Sequence, residues 1–348
     1  AATARRWWTA RHAADSQLQS ALGVVSTKVL GGWRAVLVHD PRVSDAVARA
    51  LPPLLASSPL SLKLSSLQLL SLSLLVSGCH VISDMELSAC VAEVTDEATA
   101  ATLLPHLRTL SSSVAPPPPL SRAPVVLIPD ISLSFVPWES TNVLRGAIVT
   151  RCPSLAAVAA GIMLHGAARS GDRANGGGGD GGSGASVGGS LYAIVDPAGD
   201  LAKTRSRFAP LLEDADGVLG RAPPPTAIPR ALVTHSLVLY VGHAAAERYT
   251  PPSLPASLAG AATAHVLLMG CSSAALHAQG MGDGFGTILS YLAGGVPSVG
   301  GCLWDVTDGD IDRFTLAVVG RWQASGGGDG NGRKVHLTTS RGDRRTDK

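Results

Sequence analysis

Short apolar runs alternate with helix-like segments through the second half of the chain. Four of these runs predict strands, and they lie at residues 191–195, 236–241, 265–269 and 297–303. Helices are predicted at residues 204–212, 286–292 and 308–322. Strands that alternate with helices are typical of a mostly parallel α/β sheet, with helices packed on its faces.

The first half of the chain favours helices. They are predicted at residues 1–30, 45–55, 83–94 and 96–110, and the third begins at a Ser83-x-x-Glu86 capping pattern. Residues 33–38 predict a short strand, and the apolar run 125–128, between two prolines, predicts a strand buried on both faces. The Ser/Leu-rich stretch 60–76 fits an amphipathic helix or merely a biased segment, and both interpretations stay open.

Proline and glycine runs indicate where the chain divides. The prolines at 116–119 form a stiff spacer, residues 175–189 are nearly all Gly, Ser and Asp, and the chain beyond 325 is Gly-rich and then charged. We therefore predict a mostly helical region at 1–115 and an α/β domain at 116–323 with a flexible insert at 175–189. A disordered tail is predicted at 324–348.

Composition excludes several function classes. The 348 residues carry 28 Lys and Arg against 26 Asp and Glu, and no basic run predicts a nucleic-acid partner. No segment reaches the roughly 20 uninterrupted apolar residues of a membrane span, so no membrane partner is predicted. Five cysteines without a CxxC pair indicate reduced thiols in an intracellular protein, rather than disulfides or a metal site. No phosphate-binding loop is present, and no cofactor is predicted.

Two successive strands end in a glycine followed by a reactive residue, as Gly242-His243 and Gly270-Cys271. Adjacent parallel strands joined by one crossover would bring both side chains to the same sheet edge. An imidazole beside a thiol favours the nucleophilic thiolate, and the N–H groups of the turns are free to hold an oxyanion. The alternative is a buried structural cysteine and an ordinary surface histidine.

Four acidic residues follow the last predicted strand within eight positions. They are Asp305, Asp308, Asp310 and Asp312. Acidic residues at a helix start interact favourably with the helix dipole, so capping alone explains such a cluster. The functional interpretation is that one of them faces the Cys/His edge and binds a cation, such as the Arg of a substrate. The ligand spacing and terminal Glu of a calcium loop are absent.

Three longer motifs stand out, LLMGCSS at 267–273, WDVTD at 304–308 and PWES at 137–140. With these motifs the chain resembles separase, the cysteine protease of the caspase-like clan that cleaves cohesin. The similarity is strong over residues 120–323 and weak over 31–110. It implies a caspase-like, mostly parallel sheet flanked by helices, preceded by a substrate-binding or pseudo-protease-like region. It also implies that the chain matches only the C-terminal protease part of a longer protein.

The resemblance also implies roles for individual residues. Cys271 would be the nucleophile and His243 the acid/base, and the backbone N–H groups of Cys271 and Ala244, beside Gly242, would form the oxyanion hole. Because the family cuts after Arg, usually with Glu three residues earlier, an acidic S1 pocket is expected. Its first candidate is Asp312, with Asp305 and Asp308 next.

The resemblance further implies partners and a location. The expected substrate is the kleisin subunit of cohesin, cut at anaphase to release sister chromatids, and the expected inhibitor is a securin-type chaperone. The expected location is the nucleus and cytoplasm, with spindle or centrosome association in mitosis.

One departure from the family pattern bears on activity. Separases usually have Gly-His-Gly-Ser-Gly-Glu where this chain has Gly242-His-Ala-Ala-Ala-Glu247. If Ala244 needs a positive φ, it costs about 1 kcal/mol or more. The alternative hypothesis is therefore a catalytically silent caspase-like scaffold that keeps the acidic cluster as a binding surface. Retention of both Cys271 and His243 favours the endopeptidase.

Overall fold

The computed structural model describes residues 2–57, 63–112, 123–174, 190–213, 215–278, 280 and 284–326. The chain forms two compact units, one of residues 1–127 with 136–151 and the other of 128–135 with 152–348. The predicted domain boundary at 115/116 and the predicted insert at 175–189 lie outside the described residues. The last helix runs to Gly326, past the predicted start of the tail at 324, and the rest of the tail lies outside them too.

Helices form most of the first unit. They are α1 (Ala2–Val24), α2 (Pro41–Ser57), α3 (Ser66–Ser77), α4 (Asp84–Val94) and α5 (Glu97–Ser112). The π-helix Val25–Val29 and the 3-10 helices Gly31–Val38, Cys79–Val81 and Trp138–Ser140 complete the helical elements described in this unit. An aliphatic core joins α2 to α5, and Leu72, Leu75 and Val76 are fully buried in it.

The strand predicted at 33–38 is wrong, because the segment belongs to the 3-10 helix Gly31–Val38. The buried residues of this helix are Gly32, Ala35 and Val38. Their spacing of three matches the three residues per turn of a 3-10 helix. The run of apolar residues suggested an extended strand, but burial follows every third position.

Capping boxes fix the starts of two helices in this unit. Ser83 accepts a hydrogen bond from the N–H of Glu86, and the Glu86 carboxylate accepts one from the Ser83 N–H, as the sequence predicted. Arg34 binds both Glu86 oxygens at 2.6 and 2.9 Å, and these bonds, with those from Ser83, lower the pKa of Glu86 to about 2. A second box, of Ser65 with Gln68, starts α3 and decides the described part of 60–76 in favour of a helix.

A parallel pair of short strands, β1 (Val125–Leu127) and β2 (Val149–Arg151), completes the first unit. The run at 125–128 was predicted to be buried on both faces, and this is wrong. Val125 packs with Trp138 and Leu144 in a small core, whereas Val126 is 45% exposed. Successive side chains of a strand point to opposite faces, and only one face of this pair is covered.

A five-stranded parallel sheet forms the centre of the second unit. Its strands, in spatial order, are β4 (Asp216–Leu219), β3 (Leu191–Val195), β5 (Leu237–Val241), β6 (His265–Met269) and β7 (Val299–Gly301). Strand β5 is buried along its whole length, as expected for a central strand of a covered parallel sheet. The edge strand β4 was not predicted from the sequence.

Helices cover both faces of this sheet. One face packs against α7 (Ala202–Glu213) and α11 (Asp308–Gly326), through side chains that include Val241 and Met269. The other packs against α8 (Ala227–Thr234) and α10 (Thr287–Ala293), through side chains that include Tyr240. The remaining helices of the unit are the 3-10 helix Ile131–Leu133, α6 (Leu155–Ala174) and α9 (Ser253–Ala256).

Candidate active site

His243 and Cys271 follow two neighbouring parallel strands. Val241, the last residue of β5, is paired in register with Met269, the last residue of β6. The N–H of Gly242 donates to the Met269 carbonyl at 3.4 Å, which holds the two strand ends together. The structure therefore places the Gly-His and Gly-Cys pairs side by side at the carboxyl edge of the sheet, where the sequence predicted them.

Gly270 is the point of closest approach between these two strand ends. A Cβ atom built on it would lie 2.0 Å from the Ala244 carbonyl oxygen and 2.6 Å from that of Gly242. Both are backbone atoms, so neither can rotate away as a side chain would. Only glycine allows the loop after β5 to lie against the turn that carries Cys271.

The loop after β5 is strained but well supported. Ala244 and Ala246 have φ values of 53° and 68°, in the left-handed region that favours glycine. The Glu247 carboxylate accepts hydrogen bonds from the Ala245 N–H at 3.1 Å and from the Thr287 hydroxyl at 2.7 Å. These bonds hold the loop in the conformation in which Ala244 and Ala246 have positive φ, although that conformation costs an alanine free energy.

His243 is anchored at both its backbone and its ring. The buried Tyr240 hydroxyl donates to the His243 carbonyl at 2.7 Å. The imidazole Nε2 lies 3.2 Å from each carboxylate oxygen of Asp200. Both side chains remain largely exposed, so the pair is open to solvent and to a ligand.

Asp200 is a site residue to which sequence reasoning assigned no role. It lies in the turn after β3, the neighbour of β5, in which Gly199 donates to the Asp196 carbonyl and Leu201 donates to the buried Asp196 carboxylate. Asp196 itself has a φ of 51°. The signal was available, because the rule that placed His243 and Cys271 at the sheet edge applies equally to the residues after β3.

Cys271 is partly buried at the start of a tight turn. Its Sγ lies 3.5 Å from the Val306 carbonyl oxygen, and the next residue, Ser272, has a φ of 52°. The Ser272 N–H donates to the Trp304 carbonyl at 3.1 Å. The turn is thus tied to the segment after β7, which carries the acidic cluster. Nearby Cys302 is half-buried, and burial, with the charge of Cys271, raises the pKa of its thiol.

One cleft, which we call the catalytic cleft, contains both reactive side chains. Its cavity volume is about 20 Å³, and it lies on the sheet face that α7 and α11 cover. Its lining includes Gly242, His243, Cys271, Thr204, Asp308 and Asp312. Ala244 does not line this cleft; it lines a second one on the other side of His243.

The acidic residues occupy different positions around this cleft. Asp312 is fully buried, and one of its oxygens accepts hydrogen bonds from Thr204 at 3.0 Å and from Arg207 at 2.5 Å. Its other oxygen, Oδ1, has no hydrogen-bond partner among the described residues. Asp308 is exposed on the cleft wall, whereas Asp305 accepts from the Ser272 hydroxyl and is not among the lining residues.

The parallel sheet, with a thiol and an imidazole just beyond neighbouring strand ends, defines an α/β domain with its candidate site at the carboxyl edge of the sheet. A family model described as the protease domain of separin matches residues 1–311, and the chain belongs to this family. The chain is 31% identical to separin of Mus musculus over 333 residues, which is 93% of this chain and 15% of the mouse protein. It is 37% identical to separin of Emericella nidulans over 213 residues, 58% of this chain and 9% of that protein.

The fold is also similar to a solved structure. The crystal structure of the Saccharomyces cerevisiae separase–securin complex matches with a TM-score of 0.64 at 23% identity, over 90% of this chain and 22% of the yeast chain. The predicted fold class, a mixed α/β structure with a parallel sheet flanked by helices, is thereby confirmed. The resemblance drawn from the sequence motifs is confirmed by the family match.

Proposed function

We propose that this chain is the protease part of a separase, a cysteine endopeptidase that hydrolyses the peptide bond after Arg in a Glu-x-x-Arg context. The observation that carries the proposal is the catalytic cleft, in which Cys271 and His243 stand beside the buried carboxylate of Asp312. Family membership supports a protease and a part in sister chromatid separation.

The chemistry follows from the Cys271–His243 pair. The Cys271 thiolate attacks the carbonyl carbon, and the C–N bond breaks as His243 gives its proton to the leaving amine. Water then adds to the thioester, releasing a carboxylate and restoring the thiol. Asp200 acts as a positioning residue, because its carboxylate faces Nε2 and leaves Nδ1 for the exchange of protons with the thiol.

The oxyanion that forms during attack needs N–H donors beside the thiol. The backbone N–H groups of Cys271 and Ala244, around Gly242, are the candidates implied by the family resemblance. The strained φ of Ala244 supports this proposal, because backbone strain persists where surrounding contacts enforce it and is concentrated at functional sites.

Asp312 is the proposed base of the Arg-binding S1 pocket. Arg207 and Thr204 already satisfy one of its oxygens, so the buried Oδ1, which has no hydrogen-bond partner among the described residues, is the proposed acceptor for a substrate guanidinium. Asp308, exposed on the wall of the same cleft, supplies a second negative charge. Asp305 is less suited to this role, because it is hydrogen-bonded to Ser272.

Partners and location extend the proposal to the whole protein. We propose the cohesin kleisin as substrate and a securin-type chaperone as inhibitor, and the similarity to a separase–securin complex supports the latter. Action in the nucleus and cytoplasm, with spindle or centrosome association in mitosis, completes the proposal. No nucleic-acid or membrane partner is proposed. Among the described residues no single helix is long and apolar enough to cross a membrane, although the bent pair Arg5–Val29 and Gly31–Val38 has sufficient combined length and composition.

The proposal is tested by hydrolysis of fluorogenic peptides that end in Arg or in citrulline, its uncharged isostere. We expect Cys271→Ser to reduce turnover by at least about a thousandfold, since the nucleophile is lost. Cys152→Ser, a matched change outside the cleft, should leave the rate unchanged.

Asp308→Asn and Asp312→Asn should reduce the preference for Arg over citrulline, by about tenfold for loss of one charged hydrogen bond. Asp200→Asn should lower kcat with KM unchanged, and Asp200→Glu should partly restore it.

The rival function is a catalytically silent scaffold, which the alanines at 244–246, in place of the Gly-Ser-Gly of the family pattern, favour. It predicts no turnover from the folded wild-type chain. It also predicts that an Arg-directed acyloxymethyl ketone fails to label Cys271. Those two results together would contradict the protease function and support the scaffold.

A further inference from the structure

A second cleft opens beside the catalytic one, with His243 between them. It lies between the turn at 196–201 and the loop at 242–249, and its cavity volume is about 170 Å³. Leu201, Gly242 and His243 line both clefts. The two spaces are therefore neighbours across His243.

The two clefts open on opposite faces of the sheet. Tyr240 and Ala246, which line the second cleft, belong to the core under α8 and α10. Val241 and Met269, which line the catalytic cleft, belong to the core under α7 and α11. A peptide ligand bound across the carboxyl edge of the sheet would therefore contact one face of the sheet on one side of His243 and the opposite face on the other side.

The absence of a side chain on Gly242 keeps the wall of the second cleft clear. A Cβ atom there would meet the Tyr240 hydroxyl at 2.8 Å and the Pro197 ring at 3.1 Å. Pro197, Ala198 and Tyr249 provide apolar surface. The second cleft is therefore suited to the aliphatic part of a ligand side chain.

The charges around the second cleft are mainly negative. Three carboxylates line it, those of Asp196, Asp200 and Glu247, against one guanidinium, that of Arg248. The buried Asp196 is paired with the Arg205 guanidinium at 3.4 Å, so the exposed negative charge of the cleft is that of Asp200, at His243, and of Glu247, at the N–H of Ala245. An acidic ligand side chain would therefore meet fixed negative charge, whereas an apolar or basic one would not.

We propose that the second cleft is the subsite for the residue that follows the scissile bond, and that it accepts apolar or basic side chains and rejects acidic ones. The inference rests on the proposed protease function, in which the residue before the scissile bond fills the catalytic cleft. His243 must reach the leaving nitrogen to protonate it. The residue attached to that nitrogen consequently lies beyond the imidazole, over the second cleft.

The test uses internally quenched peptides that share a Glu-x-x-Arg acyl side and carry Gly, Leu, Lys or Glu after the Arg. For the wild-type chain we expect kcat/KM for Leu and Lys to exceed that for Glu by about fivefold, the effect of modest like-charge repulsion near solvent. Ala198→Phe fills the second cleft and should lower the Leu-to-Gly ratio. Ala256→Phe, an equal change on the exposed surface of α9 and outside both clefts, should not.

Failure of this inference is distinguishable from failure of the protease. Equal rates for all four peptides, or the same Leu-to-Gly ratio in both Phe variants, would refute the subsite while the protease stands. If the wild-type chain cleaves nothing, fluorescence anisotropy of the same peptides on Cys271→Ser decides the matter. Weaker binding of the Glu peptide than of the Leu and Lys peptides supports the second cleft as a binding site, and equal binding overturns it.

Discussion

Individual residues of the candidate site adopt backbone angles that few amino acids tolerate. Ala244, Ala246 and Ser272 all have positive φ, and they flank His243 and Cys271 in sequence. The left-handed region costs an L-residue about 1–2 kcal/mol, because Cβ crowds the following carbonyl. Strain of this kind persists only where other contacts enforce it, here those of Glu247 and of the glycine at 270.

Ala244 allows this strain to be measured, since its side chain is exposed and loses no packing on replacement. We expect Ala244→Gly to raise the free energy of unfolding by about 0.5 kcal/mol, the relief of strain less the added freedom of the unfolded chain. Ala244→Val should lower it by at least about 1 kcal/mol. Urea denaturation of both, with Ala256→Gly in α9 as the helical control, gives the comparison. A Val variant as stable as the Gly variant would contradict a strained loop.

At the scale of elements, the site depends on how two strand ends and their loops touch. The Ala244 and Gly242 carbonyls lie against Gly270, so the loop after β5 and the turn after β6 have no room between them. The imidazole and the thiol are presented by two segments that fit each other through backbone atoms. A small change at the contact therefore moves both reactive groups.

Gly270→Ala is expected to lower the free energy of unfolding by about 1–3 kcal/mol, as other overpacked sites do, and to abolish peptide cleavage. Gly161→Ala provides the matched control, because a Cβ there meets nothing within 4 Å and α6 gains a better helix former. It should stabilise by about 0.5–1 kcal/mol with unchanged activity. Thermal unfolding and the fluorogenic assay measure both. An active, stable Gly270→Ala variant would rule out the tight contact.

The elements also show what the sequence reveals and what it hides. Strands β3, β5 and β6 were predictable because buried parallel strands are continuous apolar runs, and their ends located His243 and Cys271. The edge strand Asp216–Leu219 was not, since it is short and contains a glycine with φ of 154°. The strand-end rule also places Asp200 at the sheet edge, but its contact with His243 follows from β3 lying next to β5, which is a property of sheet order rather than of spacing.

At the scale of the whole molecule, each unit has a core of its own. Aromatic residues are only 4% of the chain, and of the twelve largest fully buried side chains among the described residues all but Tyr291 and Phe208 are Leu or Ile. The helical unit relies on residues such as Leu75 and the α/β unit on residues such as Leu239. Stability in both comes from aliphatic packing, which is sensitive to lost methyl groups.

Leu75→Ala and Leu239→Ala should each lower the free energy of unfolding by about 2–5 kcal/mol, since both side chains are fully buried. Hydrogen exchange should show lost protection in α3 and its neighbours for the first variant and in the five-stranded sheet for the second. Leu67→Ala, in the same helix as Leu75 but 72% exposed, should change stability by less than about 0.5 kcal/mol. Equal losses for Leu67 and Leu75 would contradict the described core.

The Tyr240 hydroxyl, which donates to the His243 carbonyl, affects how the pH dependence of activity is interpreted. Burial, with nearby Tyr249 and Glu247 adding to it, raises the pKa of Tyr240, so the hydroxyl keeps its proton across the range in which enzymes are assayed. The hydrogen bond from Tyr240 to the His243 carbonyl, which anchors His243, is therefore unchanged by acid and by mild base. A bell-shaped rate curve measured on this chain can then be interpreted through the groups that exchange protons with substrate, without a contribution from ionisation of this anchor.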